Sequence, residues 1–96
     1  MSQVLIELER FLELSEAMAS AAEEQEWESL VSIGEDRGQL LLRLPADFAL
    51  TLPPVEHASA RVIMERCQKL DDKTCSLMGE RQKDLRVLLR ELPLLN

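Results

Sequence analysis

Along the first 22 positions the chain's hydrophobic pattern steps alternately by four and three: Val4, Leu8, Phe11, Ser15, Met18 and Ala22. Leu5, Leu12 and Ala19 form an adjacent row, and Glu7, Glu9, Arg10, Glu13 and Glu16 fall mostly off it. That is the wide apolar stripe of a helix packed on one face. Ser2 supplies an N-cap, and the spacing predicts a first helix over residues 3–24.

Extending the same row meets Gln25, Ser29, Ser32 and Asp36. A new row starts at Trp27 and runs through Leu30, Gly34, Arg37, Leu41 and Leu44. The five-residue jump from Ala22 to Trp27 rotates the stripe too far for one straight helix to bury both rows. The chain must therefore turn near residues 23–26, where no Gly or Pro marks the place. Glu23, Glu24, Glu26 and Glu28 suit the positive end of a second helix, over 26–44. The expected unit is an antiparallel helical hairpin.

Pro45 ends that helix, and PADFALTLPP holds the one clear loop, over 45–53, with Pro53 and Pro54 as its far wall. Phe48, Leu50 and Leu52 alternate along it, but no second strand exists to pair with it. An apolar segment strapped across the end of the bundle is expected instead. From there a helical pattern resumes over 54–92: Ala60, Ile63, Cys67, Leu70, Thr74, Leu77 and Arg81, then Leu85, Leu88 and Leu92 after an extra four-residue step. Gly79 lies in mid-run, where the helix either bends or continues at a cost of about 1 kcal/mol relative to alanine.

Helices of about 22, 19 and 38 residues measure roughly 33, 28 and 57 Å. The hairpin then covers about half of the third helix. Leu77, Met78, Leu85, Leu88, Leu89 and Leu92 run beyond its turn, and Leu94 and Leu95 extend the surface. Each leucine left in water forfeits roughly 1.5–3 kcal/mol, so such a patch marks an interaction surface. The alternative is a break at Gly79 that folds the last leucines back as a fourth helix. Trp27, Leu30, Gly34, Gly38 and Leu41 are expected to pack the hairpin, with Trp27 closing its end. The two glycines stack on one helix face, where they would let another backbone approach.

The chain is short, 96 residues, which bounds it to a single domain over 1–96. Hydrophobic residues make up 46% and aromatics 3%, so leucine, alanine and methionine fill the core and the fold class is all-α, a three-helix bundle. A net charge of −7 argues against a nucleic-acid partner, which requires a positive footprint. No apolar run is long enough to insert in a membrane, and MSQVLIELER lacks a basic start before an unbroken apolar stretch. A cytoplasmic protein is expected. Charge is segregated: residues 1–28 hold eight glutamates and one arginine, and 55–92 hold eight basic and seven acidic residues, so the first and third helices attract as neighbours.

The candidate chemistry is sparse. His57 lies ten residues from Cys67, too far along one helix to share a metal with it. Cys67 and Cys75 are about 12 Å apart at helical rise, beyond disulfide reach. Glu35-Asp36 and Asp71-Asp72 are neighbours that point about 100° apart, as solvated carboxylates do. Gly34-Glu35-Asp36-Arg37-Gly38 has neither the preceding strand nor the lysine of a phosphate loop. No catalytic residue, metal or cofactor is expected, and the chain is not read as an enzyme.

Trp27-x-x-Leu30, Arg37, Leu41 and Leu44 before a Pro-rich loop, followed by Ile63-x-x-x-Cys67-x-x-Leu70-Asp71, Leu77, Arg81 and Leu85, resemble the FliT family of flagellar export chaperones. The resemblance covers most of the chain. It implies a cytoplasmic type III export chaperone for bacterial flagellum biogenesis. Such a protein binds the C-terminal segment of the filament-cap protein and delivers it to the export ATPase complex. Some members also bind the flagellar master transcription regulator, and longer ones carry a C-terminal helix that masks the client groove. Here three residues follow Pro93, so a full masking helix is not expected, which leaves autoinhibition and regulator binding open. The client surface is expected on the overhanging half of the third helix, at Leu77, Met78, Leu85, Leu88, Leu89 and Leu92. The other reading is a structural helical homodimer or adaptor, in which the overhanging leucines pair with their symmetry mates.

Overall fold

Ser2 opens the first helix through its side chain: the hydroxyl oxygen accepts from the Leu5 amide at 3.2 Å, satisfying one of the unpaired donors of a first turn. A computed structural model describes residues 2–91, less the side chains of 49 and 88–91. It contains α1 (Gln3–Glu23), α2 (Trp27–Arg43), the single turn α3 (Phe48–Thr51) and α4 (His57–Glu91), which follows a 3-10 turn at Pro54–Glu56. No strand occurs among the described residues. The architecture is all-α, a helical hairpin beside a long last helix.

The turn that the sequence marks with neither Gly nor Pro is made by Gln25, whose φ of 60° is left-handed. The Glu26 amide donates to the Ala21 carbonyl at 2.8 Å and the Gln25 amide to that of Ala22 at 3.2 Å. This pair of bonds is the Schellman termination, usually built on glycine. The Glu26 carbonyl then accepts from Leu30 at 3.0 Å, so one residue ends α1 and begins α2.

α1 is the shared element. Its Leu5, Leu8 and Leu12 pack with Ala60, Ile63 and Cys67 of α4 and Leu52 of the loop, and its Ala21 and Ala22 pack with Leu30 of α2. Ala60 lies among the first residues of α1 and Leu77 beside its last, so α4 runs parallel to α1 and α2 antiparallel to both. α2 and α4 touch each other far less than either touches α1. Glu16–Arg66 at 3.7 Å and Glu23–Lys73 link α1 to α4 along the outside, as the charge segregation leads one to expect. Both pairs are exposed and contribute at most about 1 kcal/mol each.

α2 seats itself one position away from the expected row. Leu40 is buried at 1% exposure while Leu41 is 56% exposed. The inward set is Leu30, Ile33, Arg37, Leu40 and Leu44, which holds the three–four spacing equally well. The run Leu40-Leu41-Leu42 sweeps about 200° of helix surface, so it cannot all face α1. In the loop, Leu52 is buried and Phe48 packs on the core, whereas Leu50 is 85% exposed.

α4 is continuous through Gly79, so the described residues contain neither a bend into a fourth helix nor a folded-back segment there. The bundle covers more of α4 than expected, because α1 and α4 start together and the hairpin turn reaches as far as Arg81. The described overhang is therefore residues 82–91, about 15 Å. The molecule is slender, 63 Å long and 21 Å across.

Candidate functional site

Because α2 and α4 lean on α1 without closing on each other, a trough runs between them. Leu8 and Phe11 of α1 form its floor, Leu41 of α2, Leu44 just past its end and Phe48 of α3 one wall, and Ile63, Met64 and Cys67 of α4 the other. This basin of roughly 220 Å³ adjoins a second of roughly 520 Å³ lined by Leu52, His57, Ala60 and Arg61, the two sharing Phe48, Met64 and Gln68. Along α4 the trough follows His57, Arg61, Met64, Gln68 and Asp71, a stripe at three–four spacing. The fourteen helical rises from His57 to Asp71 span about 21 Å. The surface is mostly apolar: Leu41 and Met64 are 56% and 50% exposed.

One end of the trough is crossed by a charge. Arg37 reaches from α2, and its Nη1 donates to Ser15 Oγ at 3.0 Å and to Asp71 Oδ1 at 2.6 Å. The guanidinium lies 4.9 Å from the centre of the Phe11 ring. Ser15 is fully buried and donates onward to the Phe11 carbonyl at 2.9 Å. Beneath this network burial pushes the Cys67 thiol up from its ordinary value, opposed in part by a hydrogen bond with Ser15. A thiol held protonated is a poor nucleophile.

The residues expected to pack the hairpin divide. Leu30 is buried and Trp27 half-buried against Ala21 and Ala22, with Arg81 of α4 5.7 Å from its ring centre. The glycines do not bring backbones together. A Cβ at Gly34 would meet the Met18 Cε at 3.6 Å, an ordinary contact, and one at Gly38 would meet nothing within 4 Å. Gly38 and Leu41 lie away from the α1 interface for the same reason that Leu40 occupies it.

Of the six residues expected on a partner surface, Leu77 is half-buried within the cluster of Ala21, Ala22 and Leu30 and belongs to the bundle. Met78 and Leu85 are each 41% exposed, and Val87, which the periodicity passes over, is 43% exposed. The side chains of Leu88 and Leu89, and the whole of Leu92, lie outside the described residues. The trough itself escaped the sequence reading because three elements build it. Its signals were Met64, one position off the α4 row, and two polar residues, Ser15 and Arg37, inside apolar rows.

His57 is used locally, its Nε2 lying 3.1 Å from the Leu52 carbonyl oxygen. Cys67 is buried and Cys75 exposed, and both are free. Among the described residues no three His, Cys, Asp or Glu side chains are grouped to hold a metal, and no helix is long and apolar enough to cross a membrane. What the arrangement offers is an open, mostly apolar trough, edged by the Arg37–Asp71 pair at one end and by Arg61 and Glu65 toward the other.

A sequence profile for the family described as Flagellar protein FliT matches residues 5–93, nearly the whole chain. No curated protein and no solved structure matches it. The match spans all three long helices, the loop and the trough between them, and the chain belongs to the FliT family of flagellar export chaperones.

Proposed function

We propose that this chaperone holds the C-terminal segment of the flagellar filament-cap protein as an amphipathic helix lying in the trough between α2 and α4, and delivers it in the cytoplasm to the export ATPase complex. The observation that carries the reading is the half-exposure of Leu41 and Met64 on facing walls over an apolar floor. A helix seated there removes both from water by helix-in-groove recognition, at a gain of roughly 1 kcal/mol or more for each. Holding the segment keeps an assembly-prone helix covered until export.

Capture of a C-terminal peptide of the cap protein by the purified chain tests this. Leu41→Asp and Met64→Asp are expected to abolish capture while leaving the helical circular dichroism intact. Capture that survives both substitutions and is lost in Leu85→Asp moves the client to the overhang.

The exposed Leu85 and Val87 of the overhang, with Met78 just before it, favour a second reading there, self-association as a homodimer. Sedimentation across a hundredfold range of concentration reads it directly, and a dimer that dissociates in Leu85→Asp supports it.

A further inference from the structure

Aliphatic walls hold a helix but do not fix where along the trough it stops, because one leucine replaces the next with little loss. Arg37 breaks that equivalence. Its guanidinium carries a permanent charge and five N–H donors in a rigid plane. Nη1 donates both inward to Ser15 and sideways to Asp71, and neither Nε nor Nη2 donates to any group among the described residues. The side chain is 21% exposed and is bonded to Asp71, which lines the trough, so the guanidinium stands at the trough's edge. The Phe11 ring below and the buried Ser15 hydroxyl hold the plane before anything binds. Placing a cation with spare donors at the end of an apolar channel gives complementarity to one class of group, a carboxylate.

Resting on the trough as the client site, we infer that Arg37 is its specificity determinant. It receives an Asp or Glu side chain carried on the apolar face of the partner helix, and shares its guanidinium between that carboxylate and Asp71. The fork of an arginine accommodates two carboxylates at once. Arg37 reaches across the trough, not along it. It therefore meets a side chain projecting from the flank of a helix broadside, whereas a terminal carboxylate points along the axis. The partner is then a helix whose apolar stripe contains one misplaced acid, which sets its register and separates it from helices that are merely greasy.

The test uses acetylated, amidated amphipathic peptides of about 14 residues, the length the trough holds. Glu is scanned through the apolar positions, each peptide paired with its Gln counterpart, and binding to the full chain is measured by fluorescence anisotropy. One Glu position is expected to bind about tenfold more tightly than its Gln counterpart. That preference should fall below about twofold in Arg37→Gln, return in part in Arg37→Lys, and grow in Asp71→Asn, where the guanidinium loses its competitor. Circular dichroism of Arg37→Gln shows whether it is folded, and the preference in Asp71→Asn reads the same anchor without removing it. A Glu preference of unchanged size in Arg37→Gln overturns the inference, as does a uniform loss of both peptides. A preference that appears only when the amide is replaced by a free terminal carboxylate overturns it too, by assigning Arg37 to a terminus. Met64→Asp separates the two levels: if it leaves both peptides bound, the trough is not the client site and the underlying reading fails.

Discussion

Arg37 and Asp71, 34 positions apart, meet at 2.6 Å across the space between α2 and α4, where these helices otherwise barely touch. The pair acts as a tie beam over the trough. Its side chains are 21% and 37% exposed, so water reaches both and the interaction is weaker than a fully buried one. We expect Asp71→Asn to lower stability by about 1 kcal/mol, a shift of roughly 4–8 °C in Tm for a domain of this size. In a cycle with Arg37→Gln the double variant should lose less than the sum of the singles, since the second change removes a bond already gone. Additive losses would show that the two residues act separately.

Gln25 sits in the left-handed region at φ 60° because the termination of α1 demands it. A side chain there costs about 1–2 kcal/mol that glycine avoids, offset in part by the entropy glycine loses on folding. Gln25→Gly is therefore expected to raise stability by about 1 kcal/mol, and Gln25→Val to lower it by at least as much. Urea midpoints of the three proteins at constant m-value provide the check.

The same turn shows what periodicity can and cannot disclose. The stripe of α1 and the jump from Ala22 to Trp27 fix that the chain reverses, because a rotated apolar face must find the core. They do not name the residue that turns, since Gln25 carries no glycine-like mark and the bonds that force its φ are made by its neighbours' backbones. In α2 the consecutive Leu40, Leu41 and Leu42 satisfy two rows equally well, and only the side occupied by α1 decides between them. The alternation of Phe48, Leu50 and Leu52 suggested a strap and not its single helical turn, which Thr51 stabilises by donating from Oγ1 to the Phe48 carbonyl at 2.9 Å. The trough was illegible for a related reason. Its floor, walls and charge come from elements whose relative angle is a tertiary property, so Ser15 and Arg37 read as flaws in their stripes until they met.

Gly79 lies inside a continuous helix with nothing within 4 Å of where a Cβ would stand. Alanine then gains propensity without a clash, and Gly79→Ala should raise stability by at most about 1 kcal/mol, less if this exposed part of α4 is already frayed in the folded protein. A loss instead would mean that α4 needs the flexibility of glycine there. Hydrogen exchange at the amides of residues 80–86 distinguishes the cases, slowing if alanine simply firms the helix.

Glu56 ties the start of α4 to the start of α1, its Oε1 accepting from the Ser2 amide at 2.7 Å, and hydrogen bonding from Ser2 holds its carboxyl below the ordinary value. A carboxyl whose pKa is depressed by folding adds stability that is fully present above the unfolded-state pKa of about 4.5 and is lost as pH falls through the lower folded value. Wild type should therefore exceed Glu56→Gln in Tm near pH 6, with the gap closing toward pH 3. A gap independent of pH over that range would assign the effect of the substitution to packing.

The two thiols should differ in reactivity by environment alone. Cys75 is exposed on α4, while Cys67 is buried under the Arg37 network with its thiol pushed up. Alkylation requires the thiolate and access to it, and Cys67 is short of both. With iodoacetamide at about pH 8, mass spectrometry should find Cys75 modified well before Cys67, whose reaction waits on local opening between α1 and α4. Asp71→Asn, by loosening the beam above Cys67, should accelerate its alkylation and leave that of Cys75 unchanged. Equal acceleration at both sites would instead report global unfolding, and none at either would show that the pair does not govern access to the core beneath it.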